Sequence, residues 1–125
     1  MKKNVLIIIP SFTGGGAERV ASIISENINA RVSWVLLYKK KIRYSVKGPI
    51  NYLNLYHSSN VFHRIYNIFL GSYRLYKMKQ KIKHHVSLSF LEHANILNIL
   101  TKRTKQQTII SVRSYSSEIH KSNSF

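Results

Sequence analysis

The sequence predicts an α/β fold, a parallel sheet with helices on both faces, and three observations predict it. The run Val5-Leu6-Ile7-Ile8-Ile9, closed by Pro10, is the continuous aliphatic pattern of a strand covered on both sides. The patterns along the chain then read strand, helix, strand, strand, helix, strand, helix, strand, an alternation that favours parallel pairing. Finally, 125 residues at 44% hydrophobic content suit one globular domain and exclude a wholly disordered chain.

After the first strand, 11–16 reads as a loop. From Ala17 the period becomes helical: Ala17, Val20, Ala21, Ile24 and Ile28 share one face, with Glu18, Arg19, Ser22 and Glu26 on the other. Val32 to Tyr38 reads as a second strand and Ile50 to Tyr56 as a weaker third, entered through Gly48-Pro49. Lys39 to Lys47 forms a basic connection between them. Val61 to His84 is the longest helical stretch. Ile65, Ile68, Phe69, Leu75, Met78 and Ile82 mark its apolar stripe, and Arg64, Arg74, Lys77 and Lys81 a basic one, while Gly71 weakens its middle. Val86 to Phe90 is a short strand. A helix follows from Glu92 to Arg103, with Lys102 and Arg103 at its negative end. Thr108 to Val112 is the last strand. There is no internal repeat and no low-complexity linker.

Composition narrows the chemistry. Twenty Lys and Arg face four acidic residues, Glu18, Glu26, Glu92 and Glu118, for a formal charge of +16. The four Glu are scattered and there is no Asp, which disfavours catalysis by a carboxylate pair. The lack of cysteine excludes thiol nucleophiles, disulfides and thiolate zinc sites. The adjacent His84 and His85 have no third ligand at metal spacing, so no metal site is expected. The N-terminal apolar run is too short for a signal peptide, and no stretch approaches the roughly 18 apolar residues of a membrane span. A cytoplasmic location is expected.

The glycine loop Ser11-Phe12-Thr13-Gly14-Gly15-Gly16-Ala17-Glu18-Arg19 stands between the first strand and the first helix. Glycines there permit a tight turn, bring backbone N–H groups near a ligand and aim the positive helix end at an anion. The bland alternative is a tight turn with no ligand. No Lys-Ser/Thr pair follows, so it is not a P-loop. Arg19 replaces a small residue, and Tyr38-Lys39 stands where a ribose-binding acid would close the second strand, which disfavours NAD.

The segment from Asn4 to Val20, with its Pro10, short loop and Gly15-Gly16-Ala17-Glu18-Arg19-Val20, resembles the opening of bacterial GT-B glycosyltransferases of the large retaining family 4. Val86 to Asn95 is similar to that family's fourth strand and following helix, and Ile109 to Ser114 to its fifth strand. The resemblance implies a Rossmann-like N-terminal domain on the acceptor side of a cleft, faced by a C-terminal domain that holds a nucleotide-sugar donor. Residues 1–125 would then be an incomplete first half, with the donor domain and its paired-Glu motif absent or on a separate C-terminal chain. The activity implied is sugar transfer to a glycan or lipid-linked acceptor in cell-surface polysaccharide synthesis. The nucleotide sugar serves as co-substrate, no other cofactor is needed, and the fragment alone is expected to be inactive. Such transfer leans on electrostatic stabilisation of the departing diphosphate, which accords with the missing carboxylates.

By position, Gly14, Gly15, Gly16 and Arg113 are the expected substrate-binding residues, since ligands sit beyond the carboxyl ends of strands. For Arg113 the alternative is a solvated cation at a strand end. His93 is a candidate acid or base, but it shares a face with Ile96, Leu97 and Leu100, and a packing role is favoured. Around the 61–84 helix, Arg74, Lys77 and Lys81 with Tyr66, Tyr73 and Tyr76 suit an anionic membrane surface at the inner leaflet. The competing reading is a sheet-covering helix with a solvated lysine face. From another class, a basic module binding anionic membrane or nucleic acid satisfies the charge criterion. No sequence-specific nucleic-acid motif is present, and a decayed, inactive product is the third reading.

Overall fold

The computed structural model describes residues 3–11, 16–39, 48–55, 60–103 and 105–111. Eight elements follow in order: β1 (Lys3–Ile9), α1 (Gly16–Asn27), β2 (Ala30–Leu36), β3 (Ile50–Tyr52), α2 (Val61–Lys81), β4 (Val86–Phe90), α3 (Glu92–Leu100) and β5 (Gln107–Ser111). The strands form one sheet in the order β3-β2-β1-β4-β5, and every neighbouring pair is parallel. The fold class is the Rossmann-like α/β arrangement that the sequence predicts.

β1 suits the central place because its run from Val5 to Ile9 is aliphatic without interruption on both faces. Its Ile7 pairs with Trp34 of β2 on one side and Leu88 of β4 on the other. Val5, Ile7 and Ile9 join Val32, Trp34, Leu36 and Phe90 beneath Ala21, Val20 and Ile24 of α1. Leu6 and Ile8 join Val35, Leu37, Leu53 and Leu55 beneath Leu75 of α2 and Ala94 and Leu97 of α3. Alternation along one strand thus builds two cores, which places α1 on one face and α2 with α3 on the other.

The short β3 differs from the longer strand expected at Ile50–Tyr56. Beyond Tyr52 the chain still runs beside β2, with Leu53 N–H donating to Leu36 O and Leu55 N–H to Leu37 O, both at 2.9 Å. Entry to β3 depends on Gly48, whose φ is 103° and whose Cβ position would fall 2.0 Å from the Val32 carbonyl oxygen. Only glycine fits there.

α1 keeps most of its expected inner face, whereas α2 is turned in part from its own. In α1, Val20, Ala21 and Ile24 pack inward as expected and Arg19 and Glu26 are exposed, but Glu18 and Ser22 are buried as well, and Ile28, just past the helix, is exposed. In α2, the buried row is Asn67, Gly71, Leu75 and Lys79, spaced four apart on one face. Ile68, Met78 and Ile82 pack partly against it, whereas Ile65 and Phe69 of the expected stripe are exposed. Gly71 explains the rotation. A Cβ there would meet Leu55 Cδ1 and Leu97 Cδ1, each at 3.0 Å, so glycine lets α2 close on α3. Its cost in helix propensity, about 1 kcal/mol, is offset by that approach.

The C-terminus of α3 also departs from expectation. The helix stops at Leu100, and the cation at its negative end comes from α2: the Lys79 ammonium donates to Asn98 O at 3.4 Å and Thr101 O at 3.3 Å. It also donates to Asn98 Oδ1 at 2.7 Å. At the other end of α2, Asn60 Oδ1 caps the helix by accepting from Phe62 N–H.

Candidate functional site

In an open parallel sheet, a ligand crevice forms where consecutive connections leave one strand in opposite directions. Here the chain runs outward from β1 to β2 and β3, then returns to place β4 on the other side. The switch point therefore lies between β1 and β4. The exits of those strands diverge there, Pro10-Ser11 toward the α1 face and Phe90-Leu91 toward the α3 face.

Gly16 is the first residue of α1, and a Cβ built on it would meet nothing within 4 Å among the described residues. Packing against the described residues does not require the glycine. Ser11 and Glu18 are buried on either side of the loop. A carboxylate in a helix's first turn is favoured by the dipole, a signal that could have marked Glu18 as something other than an outer-face residue. Across the crevice, Leu91 adopts φ 76° and ψ 151° and gives α3 no side-chain cap. A positive φ is uncommon for a bulky side chain and stores strain. It turns the chain abruptly from β4 into α3.

His93 stands in the first turn of α3, half-buried. Its Nδ1 is 2.8 Å from the Tyr38 hydroxyl, and the two rings are tilted by 59°. Tyr38 is fixed just beyond β2 by its backbone N–H, which donates to Pro10 O at 3.0 Å. Burial raises the phenol pKa above its ordinary value, partly countered by the Arg64 charge, so the phenol keeps its proton. When the imidazole carries its hydrogen on Nε2, the phenol donates to Nδ1 and fixes the ring. His93 therefore packs and is oriented at the same time. Tyr38 was legible in the sequence only as the absence of a ribose-binding acid. A partner 55 residues away leaves no local pattern.

Of the expected loop residues, Gly16 lies at this crevice, while Gly14, Gly15 and Arg113 fall outside the described residues. The histidine pair is structural. His85 Nδ1 accepts from Asn4 N–H at 2.9 Å, and buried His84 places its Nδ1 3.0 Å from Ile82 O. Among the described residues no group of three or more metal-ligating side chains forms.

The structure brings Arg74, Lys77 and Lys81 together. They line a groove of about 440 Å³ with Tyr52, Asn54 and Tyr73. Arg74 is partly spent inside the fold, donating to the Leu53 and Asn54 carbonyls. Lys77 and Lys81 are exposed, and the Lys77 ammonium sits 4.8 Å above the Tyr73 ring. Beside them, Phe62, Tyr66, Phe69, Tyr73 and Tyr76 are all exposed. Their alternating spacing of four and three residues draws one aromatic seam along α2. Among the described residues no helix is long and apolar enough to cross a membrane.

Compared with known proteins, the chain matches no family model and no curated protein sequence.

Proposed function

We propose that this chain is the acceptor-side Rossmann-like part of a glycosyltransferase, which takes a sugar from a nucleotide-sugar donor onto a glycan or lipid-linked acceptor. The observation that carries the reading is the pairing of Tyr38 with His93 at 2.8 Å, across the switch point from the glycine-led start of α1. A hydroxyl acceptor needs a polar, partly desolvated cradle, and the half-buried Tyr38–His93 pair provides one. The N-terminal turn of α1 adds backbone donors and a favourable field for phosphate oxygens. Gly14, Gly15, Gly16 and Arg113 complete the proposed substrate contacts. No side chain of the site need act as a nucleophile if the departing diphosphate is stabilised electrostatically. That stabilisation would come from a donor-binding domain facing the crevice, whether in the same polypeptide or as a separate chain.

Binding of a panel of oligosaccharides and lipid-linked saccharides, measured by saturation-transfer NMR, tests this. At least one saccharide should bind the chain and lose about tenfold in affinity in His93→Ala. If no saccharide binds, or if binding ignores His93, the reading falls.

A second reading concerns where the chain works. The five exposed aromatics of α2, with Lys77 and Lys81 beside them and no acidic residue between Val61 and Lys81, favour attachment to an anionic membrane surface, the inner face in a bacterium. Aromatic rings settle at the headgroup level and each nearby cation contributes about 1 kcal/mol. Sedimentation with vesicles should show binding that rises with the anionic lipid fraction. Equal binding to neutral vesicles would reject it.

A further inference from the structure

At the amino-terminal edge of the sheet, opposite the crevice, the fold gathers cations with no carboxylate beside them among the described residues. Arg103 follows α3, and Lys79 and His84 are buried beside it. Burial and the Arg103 charge push Lys79 down to about 8. Burial also lowers His84, with Lys79, Arg103 and His85 acting in the same direction against the Ile82 carbonyl. Lys102 and Lys105 add two more charges. Among the described residues no carboxylate serves this corner: Glu18 and Glu26 belong to α1 on the other face, and Glu92 opens α3 at the opposite edge.

The same corner holds a cavity of about 360 Å³, lined by Tyr76, Lys102, Arg103, Lys105 and Gln106. Two buried polar atoms of its lining, Arg103 Nη1 and Gln106 Oε1, have no hydrogen-bond partner among the described residues. The Tyr76 ring, 5.5 Å from the guanidinium carbon, holds Arg103 in place. A buried charged donor without an acceptor is costly, and so are like charges packed together. An anion with several acceptor oxygens relieves both at once.

We propose that the cavity lined by Tyr76, Lys102, Arg103, Lys105 and Gln106 is a phosphate-binding site. One phosphate oxygen accepts from Arg103 Nη1, the flanking lysines neutralise the remaining charge, and a ligand hydroxyl or protonated oxygen donates to Gln106 Oε1. The shared chemistry is a phosphate monoester or terminal phosphate, whether free in solution or on a lipid headgroup. The site lies at the far edge of the sheet from Tyr38 and His93, so it stands or falls separately from the proposed function.

The test is calorimetric titration of the full chain with inorganic phosphate at constant ionic strength, beside vesicles of phosphatidic acid in phosphatidylcholine. Because a chain of +16 attracts any anion, the variants must hold charge equal. Arg103→Gln with Lys105→Gln should weaken binding at least tenfold, whereas Lys3→Gln with Arg31→Gln, which removes the same charge from exposed positions at the starts of β1 and β2, should change it less than twofold. Lys102→Gln with Lys105→Gln, both exposed positions, repeats the comparison without touching a buried group. A selective loss with inorganic phosphate assigns a soluble phosphate ligand, and a selective loss seen only with vesicles assigns a lipid phosphate. Equal losses in the pocket and control variants, or no binding in either arm, would overturn the site.

Discussion

The two faces of β4 solve the same burial problem in different ways. Val86, Leu88 and Phe90 turn toward α1 and join an apolar core built on Trp34. Ser87 and Ser89, one residue out of phase, turn toward α3 and are buried in hydrogen bonds. Ser87 donates to Asn98 Oδ1 at 2.9 Å and Ser89 to Asn95 Oδ1 at 2.7 Å. The Asn98 amide in turn reaches Ser89 Oγ at 3.1 Å, and Lys79 closes the network from α2. The first face gains from area removed from water and is indifferent to direction. The second gains little net energy but fixes one registration of α3 on the sheet, because each buried polar group left unpaired carries the full cost of its desolvation.

The largest effect should come from breaking the apolar face. Trp34→Ala empties the centre of that core and should cost about 3–5 kcal/mol in urea unfolding, as large-to-small core changes do. On the polar face, Asn98→Ala strands Ser87 and Lys79 and should cost about 2–3 kcal/mol. If Asn98→Ala proved neutral, the hydrogen-bonded face would be dispensable and the contrast would disappear.

Lys79 gives that face a pH signature. Its pKa is about 8 in the fold against 10.5 in the unfolded chain, so between those values the folded state binds fewer protons. Its contribution to stability is therefore complete above pH 10.5, and is lost as pH falls through about 8. The gain across the window is on the order of 3 kcal/mol at most. Unfolding measured at pH 7.5 and 10 should show a rise that Lys79→Met removes; the same rise in the variant would assign it to other groups. Smaller still, Tyr38→Phe should cost about 1 kcal/mol through the lost His93 hydrogen bond. Phe69→Ser, on the exposed seam of α2, should stay within about 0.5 kcal/mol.

What could be read from the sequence follows the same division. The apolar face was legible: the aliphatic run of β1, the alternation of elements and the β4 boundaries are all short-range patterns, and the sheet reproduces them. The polar face was not. Ser87, Ser89, Asn95 and Asn98 look like surface residues until α3 is laid on the sheet, and Lys79 reads as one more solvated lysine. The rotation of α2 has the same cause. Counting apolar residues favoured a stripe through Ile65 and Phe69, but close approach at Gly71 and the pull of Lys79 toward the end of α3 decided the buried row. At the candidate site, the loop before α1 was visible as a motif and His93 as a titratable group. Their relation, through Tyr38, exists only after β2 and α3 meet.

The central claim is that the carboxyl edge of the sheet takes a saccharide. Amide chemical-shift mapping of the isotope-labelled chain, titrated with a saccharide from the binding panel, tests it most directly. The account predicts perturbations gathered at Ser11, Gly16, Tyr38 and His93, with Arg103 and Gln106 unmoved. Shifts confined to the amino edge, or spread evenly over the basic surface, would contradict it.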